Sequence, residues 1–179
     1  EQVVEYIQNL HFDEEDVAYL RSKNLFTEEF LDYLLHFKFR GDIYAMPEGT
    51  IMYPNEPVMT VVAPLIDAQL IETTVLLEIN HQSLIATKTN RIVQAASGKP
   101  VSDFGARRAH NVDAAVYGAR AAYIGGAVGT ATVLAGKMFG IPISGTMAHS
   151  WVMCFDSEFE AFKAYAESYP DATVLLVDT

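Results

Sequence analysis

The sequence predicts an α/β fold, and three observations lead to this prediction. Residues 1–41 carry apolar side chains at helical spacing, and residues 42–64 hold short β-branched runs between turns. From residue 100 onward, apolar strands alternate with helices, which is typical of parallel sheets joined by crossover helices. We therefore expect an N-terminal helical segment (1–41), an antiparallel β layer (42–64), connecting helices (65–99) and a parallel α/β segment (100–179).

Three helices are predicted in residues 1–41. Asp13 is a suitable cap for a second helix that ends near Lys23, and Thr27, which two glutamates follow, is a suitable cap for the third. The first and third helices each have one apolar stripe, which predicts burial. These stripes consist of Val3, Val4, Ile7 and Leu10 in the first helix and of Phe30, Leu31, Leu34 and Leu35 in the third.

Turn residues divide segment 42–64 into short strands. Proline-containing turns at residues 47–50 and 54–57 separate runs of apolar residues. Short turns between β-branched runs indicate an antiparallel layer. The runs contain Ile43, Tyr44, Ile51, Met52, Val58, Val61 and Val62.

A long helical pattern follows Pro64 and extends to about Ala96, with a break indicated near Asn80 and His81. Strands and helices then alternate to the end of the sequence. The predicted strands are 100–104, 141–145 and 173–178, and the predicted helices are 112–124, 129–139 and 157–168.

The composition narrows the possible partners and compartments. A formal charge of −11 argues against nucleic acid and anionic membranes as partners, because affinity for both comes mainly from Lys and Arg. No apolar run approaches the roughly 20 residues of a membrane span, and the first residues lack a signal-peptide pattern. A cytoplasmic protein is therefore expected. The single Cys154, among apolar neighbours, is predicted to be a buried and inert thiol.

Anion-binding chemistry is indicated where the predicted strand 100–104 ends. Gly105 permits a sharp turn, and the guanidinium groups of Arg107 and Arg108 suit the paired oxygens of a phosphate or carboxylate. Phe104 is placed to stack on a planar ring. The alternative is that this ring belongs to the core and that the arginines pair with neighbouring aspartates.

A second cluster follows the strand 141–145. Hydroxyl groups and a glycine just after a strand form an anion-binding loop, and the imidazole of His149 can act as base, acid or phosphoryl acceptor. A purely structural role for His149 is the alternative. At the end of the last predicted strand, Asp178 is placed to bind a sugar hydroxyl or a magnesium-bound water, or to cap a following helix.

A glycine-rich segment, residues 125–130, leads into the helix predicted at 129–139. Free N–H groups at a helix start can bind an anion. The segment matches neither a P-loop nor a dinucleotide fingerprint. Close packing around small residues is therefore the favoured interpretation.

Together these segments resemble a known family. Residues 42–64 resemble the β layer of the type II phosphoribosyltransferases. Residues 102–109 (Ser-Asp-Phe-Gly-Ala-Arg-Arg-Ala), 129–136 (Gly-Thr-Ala-Thr-Val-Leu-Ala-Gly) and 145–151 (Gly-Thr-Met-Ala-His-Ser-Trp) resemble, in this order, signature segments of the nicotinate phosphoribosyltransferase family. The resemblance spans essentially the whole chain. It implies a partial (β/α) barrel preceded by helices and an antiparallel β layer.

The resemblance also implies an activity. Enzymes of this family transfer a phosphoribosyl group from phosphoribosyl pyrophosphate to nicotinate, with coupled ATP hydrolysis, in the Preiss–Handler route to NAD. ATP and Mg²⁺ are the implied cofactors. The implied roles are phosphohistidine for His149, nicotinate contact for Thr146, ring stacking for Phe104, phosphate binding for Arg107, substrate binding for Ser144 and Gly145, and contact near ribose and magnesium for Asp178.

The position of Ala131 bears on the choice of substrate. The related nicotinamide enzymes have an aspartate where this sequence has Ala131. An aspartate there can accept hydrogen bonds from a carboxamide, but it repels a carboxylate at short range. Ala131 therefore favours nicotinate.

Parts of the family pattern are not in this sequence. They are an N-terminal tyrosine that a neighbouring subunit contributes, and later barrel strands with another arginine and glycine-rich phosphate loops. The chain also ends just after an apolar strand, where a helix is expected to cover the sheet. We therefore expect a fragment, truncated at the C-terminus and inactive alone, of a homodimeric enzyme with a shared active site.

Two other interpretations remain open. A quinolinate phosphoribosyltransferase has the same fold, but it needs several basic residues for a dicarboxylate and has no phosphohistidine. The single arginine pair at 107–108 and the loop that carries His149 argue against it. The second alternative is a non-catalytic βα scaffold, in which the histidine and arginines only stabilise loops.

Overall fold

The structure is a computed structural model that describes residues 2–177. The fold is α/β, with small sheets. The chain forms two compact units, one up to His81 and one from Gln82 onward. The helices are α1 (Gln2–Asn9), α2 (Glu14–Ser22), α3 (Glu28–Leu35), α4 (Leu65–Ala95), α5 (Val112–Ile124), α6 (Val133–Phe139), α7 (His149–Val152) and α8 (Glu158–Ser168). The strands are β1 (Asp42–Ala45), β2 (Met59–Val62), β3 (Ser102–Asp103) and β4 (Gly129–Thr130), and a short 3-10 helix covers Ala106–Arg108.

The two predicted helix caps in the first unit are confirmed. Asp13 accepts a hydrogen bond from the N–H of Asp16 at 2.9 Å, and the Asp16 carboxylate accepts one from the N–H of Asp13 at 3.1 Å. This reciprocal pair is a capping box, which starts α2. Thr27 Oγ1 accepts a hydrogen bond from the N–H of Phe30 at 3.3 Å and starts α3. Both helices therefore begin where local side-chain chemistry satisfies their first N–H groups.

Two apolar clusters form the core of the first unit. One joins α2 to α3, and the other joins α1 to the N-terminal part of α4. Burial of the apolar residues in these clusters is the main source of stability for such short helices, because isolated helices of this length are marginal in water. The predicted burial is wrong for Val4 and Leu35, which are 51% and 38% exposed. The buried residues are Val17, Leu31 and Leu34 in the first cluster and Val3, Ile7, Ile71 and Val75 in the second.

The antiparallel layer is confirmed with two strands. β1 pairs with β2 so that Asp42 lies opposite Val62 and Ala45 opposite Met59. The prediction that Ile51 and Met52 also belong to a strand is wrong, and Ile51 is 76% exposed. Two turns, closed by hydrogen bonds at residues 47–50 and 53–56, leave too few residues between them for a paired strand.

The first unit also contains a buried ionised group. Asp67, in the first turn of α4, is fully buried. Its carboxylate accepts hydrogen bonds from the Arg40 backbone N–H at 2.9 Å, from Arg40 Nη2 at 3.0 Å and from the Tyr33 hydroxyl. These bonds, chiefly those from the Arg40 side chain, lower the pKa of Asp67 from the ordinary 3.8 to about 2.

The sequence position of Asp67 is itself a signal for this ion pair. Asp67 lies one and two helical turns before Ile71 and Val75, and all three side chains are buried. A carboxylate on an apolar stripe needs a partner, since an unpaired buried charge is costly. The position of Asp67 on that stripe therefore indicates a buried ion pair.

We expect the Asp67 carboxylate to make stability depend on pH below about 4. In the unfolded chain the group titrates near 3.8 and in the folded chain near 2, so the unfolded state binds more protons between these values. The free energy of unfolding should therefore fall as the pH is lowered through this window. Asp67→Asn should lower it by about 2 kcal/mol at neutral pH and should reduce its pH dependence between 4 and 2.

Urea denaturation of the wild type and of Asp67→Asn at several pH values is the measurement. The comparison isolates the contribution of Asp67, because aspartates and glutamates in general have pKa values of about 4. Equal slopes of stability against pH in the two proteins would contradict the assignment.

In the second unit, short strand segments alternate with helices, but the predicted strands are longer than those observed. Strand 100–104 is reduced to β3, and in 141–145 only Ile143 pairs, through a single bridge. β3 and β4 are parallel, and α5 connects them. Ile143 forms a parallel bridge to Thr130 on the other side of β4, and α6 lies between these two in the chain. The core of this unit consists of Val116, Ala119, Ala135 and Ile141.

The predicted start of a helix at residue 129 is wrong, because Gly129 and Thr130 form β4. The segment bonds to both neighbouring strand segments: Ala131 N–H donates to Asp103 O at 2.9 Å, and Thr130 N–H donates to Pro142 O at 3.0 Å. A Cβ at Gly129 would lie 2.7 Å from Pro142 O, so only glycine permits this approach. The helix begins later, at Val133.

The predicted break in the connecting helix is also wrong. α4 is continuous over its 31 residues and includes Asn80 and His81. Neither residue removes a backbone donor or clashes with the preceding turn, as proline would, so their weak helix propensity does not end the helix. No helix within residues 2–177 combines the length and the apolar character that a membrane crossing requires.

The predicted strand 173–178 does not form in the described part of the chain. Residues 173–177 are irregular, and Val174 and Val177 are more than half exposed. An apolar run becomes a strand only when another strand satisfies its N–H and C=O groups, and none pairs with this run within residues 2–177. Asp178 lies outside the described residues. The partial barrel therefore stays an expectation.

The prediction that Cys154 is buried is wrong. The thiol is exposed, and its Sγ lies 3.2 Å from the carbonyl oxygen of Ser150. α7 ends at Val152, so the apolar residues around the cysteine do not continue on one buried face of a helix. Met153 beside it is 83% exposed.

Candidate functional site

The carboxyl ends of three parallel strand segments lie at one edge in the second unit. These segments are β3, β4 and the bridge residue Ile143. Residues that follow parallel strands at such an edge are well placed to form a binding site. The predicted site residues that follow are Phe104 and Arg107 after β3, Ala131 after β4, and Ser144, Gly145, Thr146 and His149 after Ile143.

The segment after β3 presents an aromatic ring and two cations to solvent. Phe104 is 51% exposed, and Arg107 and Arg108 are exposed in the short 3-10 helix. The alternative that Phe104 is a core residue is therefore wrong. Among the ion pairs of residues 2–177, none involves either arginine, so the alternative pairing with Asp103 or Asp113 is not found.

Asp103 has other partners. Its Oδ1 accepts a hydrogen bond from the Gly105 N–H at 3.0 Å, and its Oδ2 accepts one from the Thr130 hydroxyl at 2.8 Å. Each carboxylate oxygen of Asp103 therefore has a hydrogen-bond donor that is not an arginine. The guanidinium groups of Arg107 and Arg108 are therefore available for an anionic ligand. The planar guanidinium group matches the paired oxygens of a phosphate or carboxylate.

The segment after β4 begins with the exposed Ala131, whose N–H is bonded to Asp103 O. Thr130 before it is fully buried, and its hydroxyl also accepts a hydrogen bond from the N–H of Thr132 at 3.0 Å. Ala131 therefore sits on well-supported backbone while its methyl group faces solvent. A side chain of another type at this position would project from the same edge.

The segment after Ile143 carries the hydroxyl groups and the histidine. The N–H of Ser144 donates to Thr130 O at 3.0 Å, which keeps the start of the segment beside β4. Thr146 is half-buried, and its hydroxyl donates to Met147 O at 3.0 Å. Met147 is buried and anchors the loop. His149 is exposed and is the first residue of α7.

The glycine-rich segment 125–130 packs closely, as the favoured interpretation held. A Cβ at Gly125 would lie 2.6 Å from Ala86 O on α4. Gly126 has φ of +106°, a backbone conformation that side chains rarely permit. Gly125 therefore allows the backbone to approach α4 closely, and Gly126 allows the chain to turn.

The described residues provide no cage for a metal ion. Within residues 2–177 there is no group of three or more His, Cys, Asp and Glu side chains that could hold one. Magnesium in phosphate sites is often held by one or two carboxylates together with substrate oxygens. We therefore assign no metal ligand among the described residues.

Sequence reasoning missed Thr130 as a member of this edge. β4 has only two residues, and a strand of this length has no periodicity to detect. A fully buried threonine needs a hydrogen-bond partner, which Asp103 supplies. The available signal was the β-branched residues Val128 and Thr130, which flank Gly129 at the start of the helix predicted over 129–139.

Comparisons with known proteins give consistent results. The family model for the nicotinate phosphoribosyltransferase N-terminal domain matches residues 1–80, and the model for the nicotinate phosphoribosyltransferase family matches residues 100–176. A nicotinate phosphoribosyltransferase of Mycobacterium tuberculosis is 54% identical over 177 residues, which are 99% of this chain and 38% of the relative. A nicotinate phosphoribosyltransferase of Bacillus subtilis is 48% identical over 179 residues, which are 100% of this chain and 36% of the relative.

A solved structure agrees with these matches. The crystal structure of human nicotinic acid phosphoribosyltransferase is similar with a TM-score of 0.77 and 31% sequence identity, over 85% of this chain and 31% of that chain. This chain spans a little over a third of the length of the two bacterial relatives.

Proposed function

Because the chain belongs to the nicotinate phosphoribosyltransferase family, we propose that the protein containing it transfers a phosphoribosyl group from phosphoribosyl pyrophosphate to nicotinate. The products are nicotinate mononucleotide and pyrophosphate. The reaction is coupled to ATP hydrolysis and belongs to the Preiss–Handler salvage route to NAD.

One observation carries the proposal for this chain. Phe104 and Arg107, Ala131, and the loop with Thr146 and His149 follow three adjacent parallel strand segments. This arrangement supports a single site in which an aromatic ring, a cation, hydroxyl groups and an imidazole bind the substrates together. A planar anionic ring and a phosphorylated sugar together need such groups.

The transfer requires one bond to form and one to break. The pyridine nitrogen of nicotinate attacks the anomeric carbon, the carbon–oxygen bond to pyrophosphate breaks, and the electron pair leaves with the pyrophosphate. Phe104 stacks on the pyridine ring, and Arg107 binds a phosphate group through its planar fork. Ser144, Gly145 and Thr146 contact the substrates, and the role proposed for Asp178 from the family resemblance is contact with the ribose. These contacts act by holding the reactants in an attacking geometry.

His149 is the proposed acceptor of the γ-phosphoryl group of ATP. An imidazole nitrogen forms the bond to phosphorus, the bond between the β- and γ-phosphates breaks, and ADP leaves. The exposure of His149 at the start of α7 supports this role, because the donor must reach the ring in line. The phosphoenzyme then binds the sugar substrate more productively.

The expectations about magnesium, oligomeric state and location rest on the family resemblance alone. Magnesium would supply charge neutralisation for the departing pyrophosphate, bound largely through substrate oxygens. A homodimer with a shared active site and a cytoplasmic location are proposed for the intact protein on the same basis.

The proposed function is tested with the intact protein, purified and supplied with labelled nicotinate, phosphoribosyl pyrophosphate and ATP. Nicotinate mononucleotide should form, faster with ATP than without it. Quinolinate is supplied in a parallel reaction, and conversion of quinolinate instead would favour the dicarboxylate enzyme. Absence of product from either acid would favour the scaffold interpretation.

Ala131 provides a test of substrate choice. Ala131→Asp should raise the KM for nicotinate much more than the KM for phosphoribosyl pyrophosphate, because a second carboxylate would face the acid group of the substrate. Weak conversion of nicotinamide is also expected. Steady-state kinetics with nicotinate and nicotinamide measure both effects.

The matched control is Ala131→Asn, which has the size of aspartate without its charge. Ala131 is exposed, so neither substitution should disturb the core. If both variants lose nicotinate activity equally, the effect is steric and the charge argument is wrong.

A further inference from the structure

One side-chain hydrogen bond joins the ends of two strands at the candidate site. Thr130 Oγ1, at the last residue of β4, donates to Asp103 Oδ2, at the last residue of β3, over 2.8 Å. Thr130 is fully buried and Asp103 is half-buried. The other carboxylate oxygen of Asp103 accepts from the Gly105 N–H at 3.0 Å. The two oxygens of one carboxylate therefore hold the end of β4 and the turn after β3 together.

The two residues that form this bond each precede a residue of the candidate site. Asp103 immediately precedes Phe104, and Thr130 immediately precedes Ala131. In the proposed function these two following residues contact the ring and the acid group of nicotinate. The bond therefore lies directly beside both the residue that stacks on the ring and the residue beside its acid group.

The main chain alone keeps the strands paired. The N–H of Val128 donates to Val101 O at 2.8 Å, and the N–H of Ala131 donates to Asp103 O at 2.9 Å. Loss of the Thr130 hydroxyl would leave these backbone bonds in place. The side-chain bond therefore adds less to strand pairing than to the orientation of the turn at Gly105, which depends on the Asp103 carboxylate.

We propose that Asp103 and Thr130 are positioning residues for nicotinate: their hydroxyl–carboxylate bond fixes the segment with Phe104 and Arg107 against Ala131. This inference rests on the proposed function and extends it to two residues that do not contact the substrate. Small displacements of binding groups have large kinetic effects, because the reacting atoms must remain aligned.

The test uses the intact protein and the substitution Thr130→Val, which keeps the shape of the side chain and removes its hydroxyl. The KM for nicotinate should rise about tenfold, as expected for the loss of a hydrogen bond to a charged group. The KM for phosphoribosyl pyrophosphate should rise less. Thr130→Ser restores the hydroxyl and should return the nicotinate KM to within about twofold of wild type.

The matched control is Thr87→Val on α4, which also removes a threonine hydroxyl bonded within the unit, here to Ser83 O at 2.7 Å. It should behave as wild type. Hydrogen exchange of a peptide covering residues 104–108 provides a readout without turnover, and exchange should be faster in Thr130→Val than in either the wild type or Thr130→Ser.

The outcomes separate this inference from the proposed function. A wild type that does not convert nicotinate would overturn both. A wild type that converts it, with unchanged nicotinate KM and unchanged exchange in Thr130→Val, would overturn only the inference. Equal impairment of the serine and valine variants would also overturn it. If Thr130→Val does not fold, Asp103→Asn should raise the nicotinate KM in the same direction, and a wild-type value would contradict the proposal.

Discussion

Replacement of His149 by asparagine should abolish the transfer of label from γ-labelled ATP to the intact protein. Asparagine has a polar side chain of similar reach, but it has no nucleophilic ring nitrogen to accept a phosphoryl group. His149 is exposed at the first residue of α7, so the substitution should leave the fold intact. ATP should no longer stimulate the reaction, and a slow ATP-independent reaction should remain.

The measurement is label incorporation followed by mapping of the labelled peptide. A phosphohistidine is labile to acid and stable to base, which distinguishes it from phosphoserine. His110→Asn is the matched control, because His110 is an exposed histidine of the same unit just after the 3-10 helix. It should retain the label. Full labelling of the His149→Asn variant would show that another residue accepts the phosphoryl group.

Arg107→Lys should raise the KM for phosphoribosyl pyrophosphate by roughly tenfold or more, although the positive charge is kept. Lysine is a point charge and cannot make the two parallel bonds that a guanidinium makes with a phosphate. Arg107 is exposed on the short 3-10 helix after β3, where the side chain supports no core packing. The expected loss therefore reports ligand binding.

Arg108→Lys is the control for Arg107→Lys, because both arginines are exposed in the same 3-10 helix. It should change the KM for phosphoribosyl pyrophosphate less than Arg107→Lys does. Initial rates at varied phosphoribosyl pyrophosphate, with nicotinate saturating, measure both effects. A wild-type KM in Arg107→Lys would show that the arginine does not bind the phosphate.

The candidate site shows what a sequence can predict about function. The segments with Phe104, Arg107, Thr146 and His149 were predicted from glycines, hydroxyl groups and cations near apolar runs, and the structure places them after adjacent parallel strand segments. The roles of these residues stay predictions. Thr130 was missed, because its role depends on a bond to Asp103, which is distant in sequence. Residue types indicate the chemistry of a loop, whereas the connection between loops depends on strand pairing.

The errors in secondary structure have the same origin. β4 exists because backbone groups of β3 and of residues near Ile143 pair with Gly129 and Thr130 on both sides. The run at 173–177 has as much apolar character as the other predicted strands, but no strand within residues 2–177 pairs with it. Strand formation therefore cannot be read from an apolar run alone.

Local chemistry was determined by the sequence itself. The caps at Asp13 and Thr27 involve side chains within one helical turn, so the order of residues is sufficient to predict them. The stripes of α1 and α3 were predicted only in part, because Val4 and Leu35 are exposed. The tertiary structure alone decided which distant groups meet. It made Asp67 a buried partner of Arg40 and bonded Asp103 to Thr130, because a buried polar group is stable only where folding brings its hydrogen-bond partner to it.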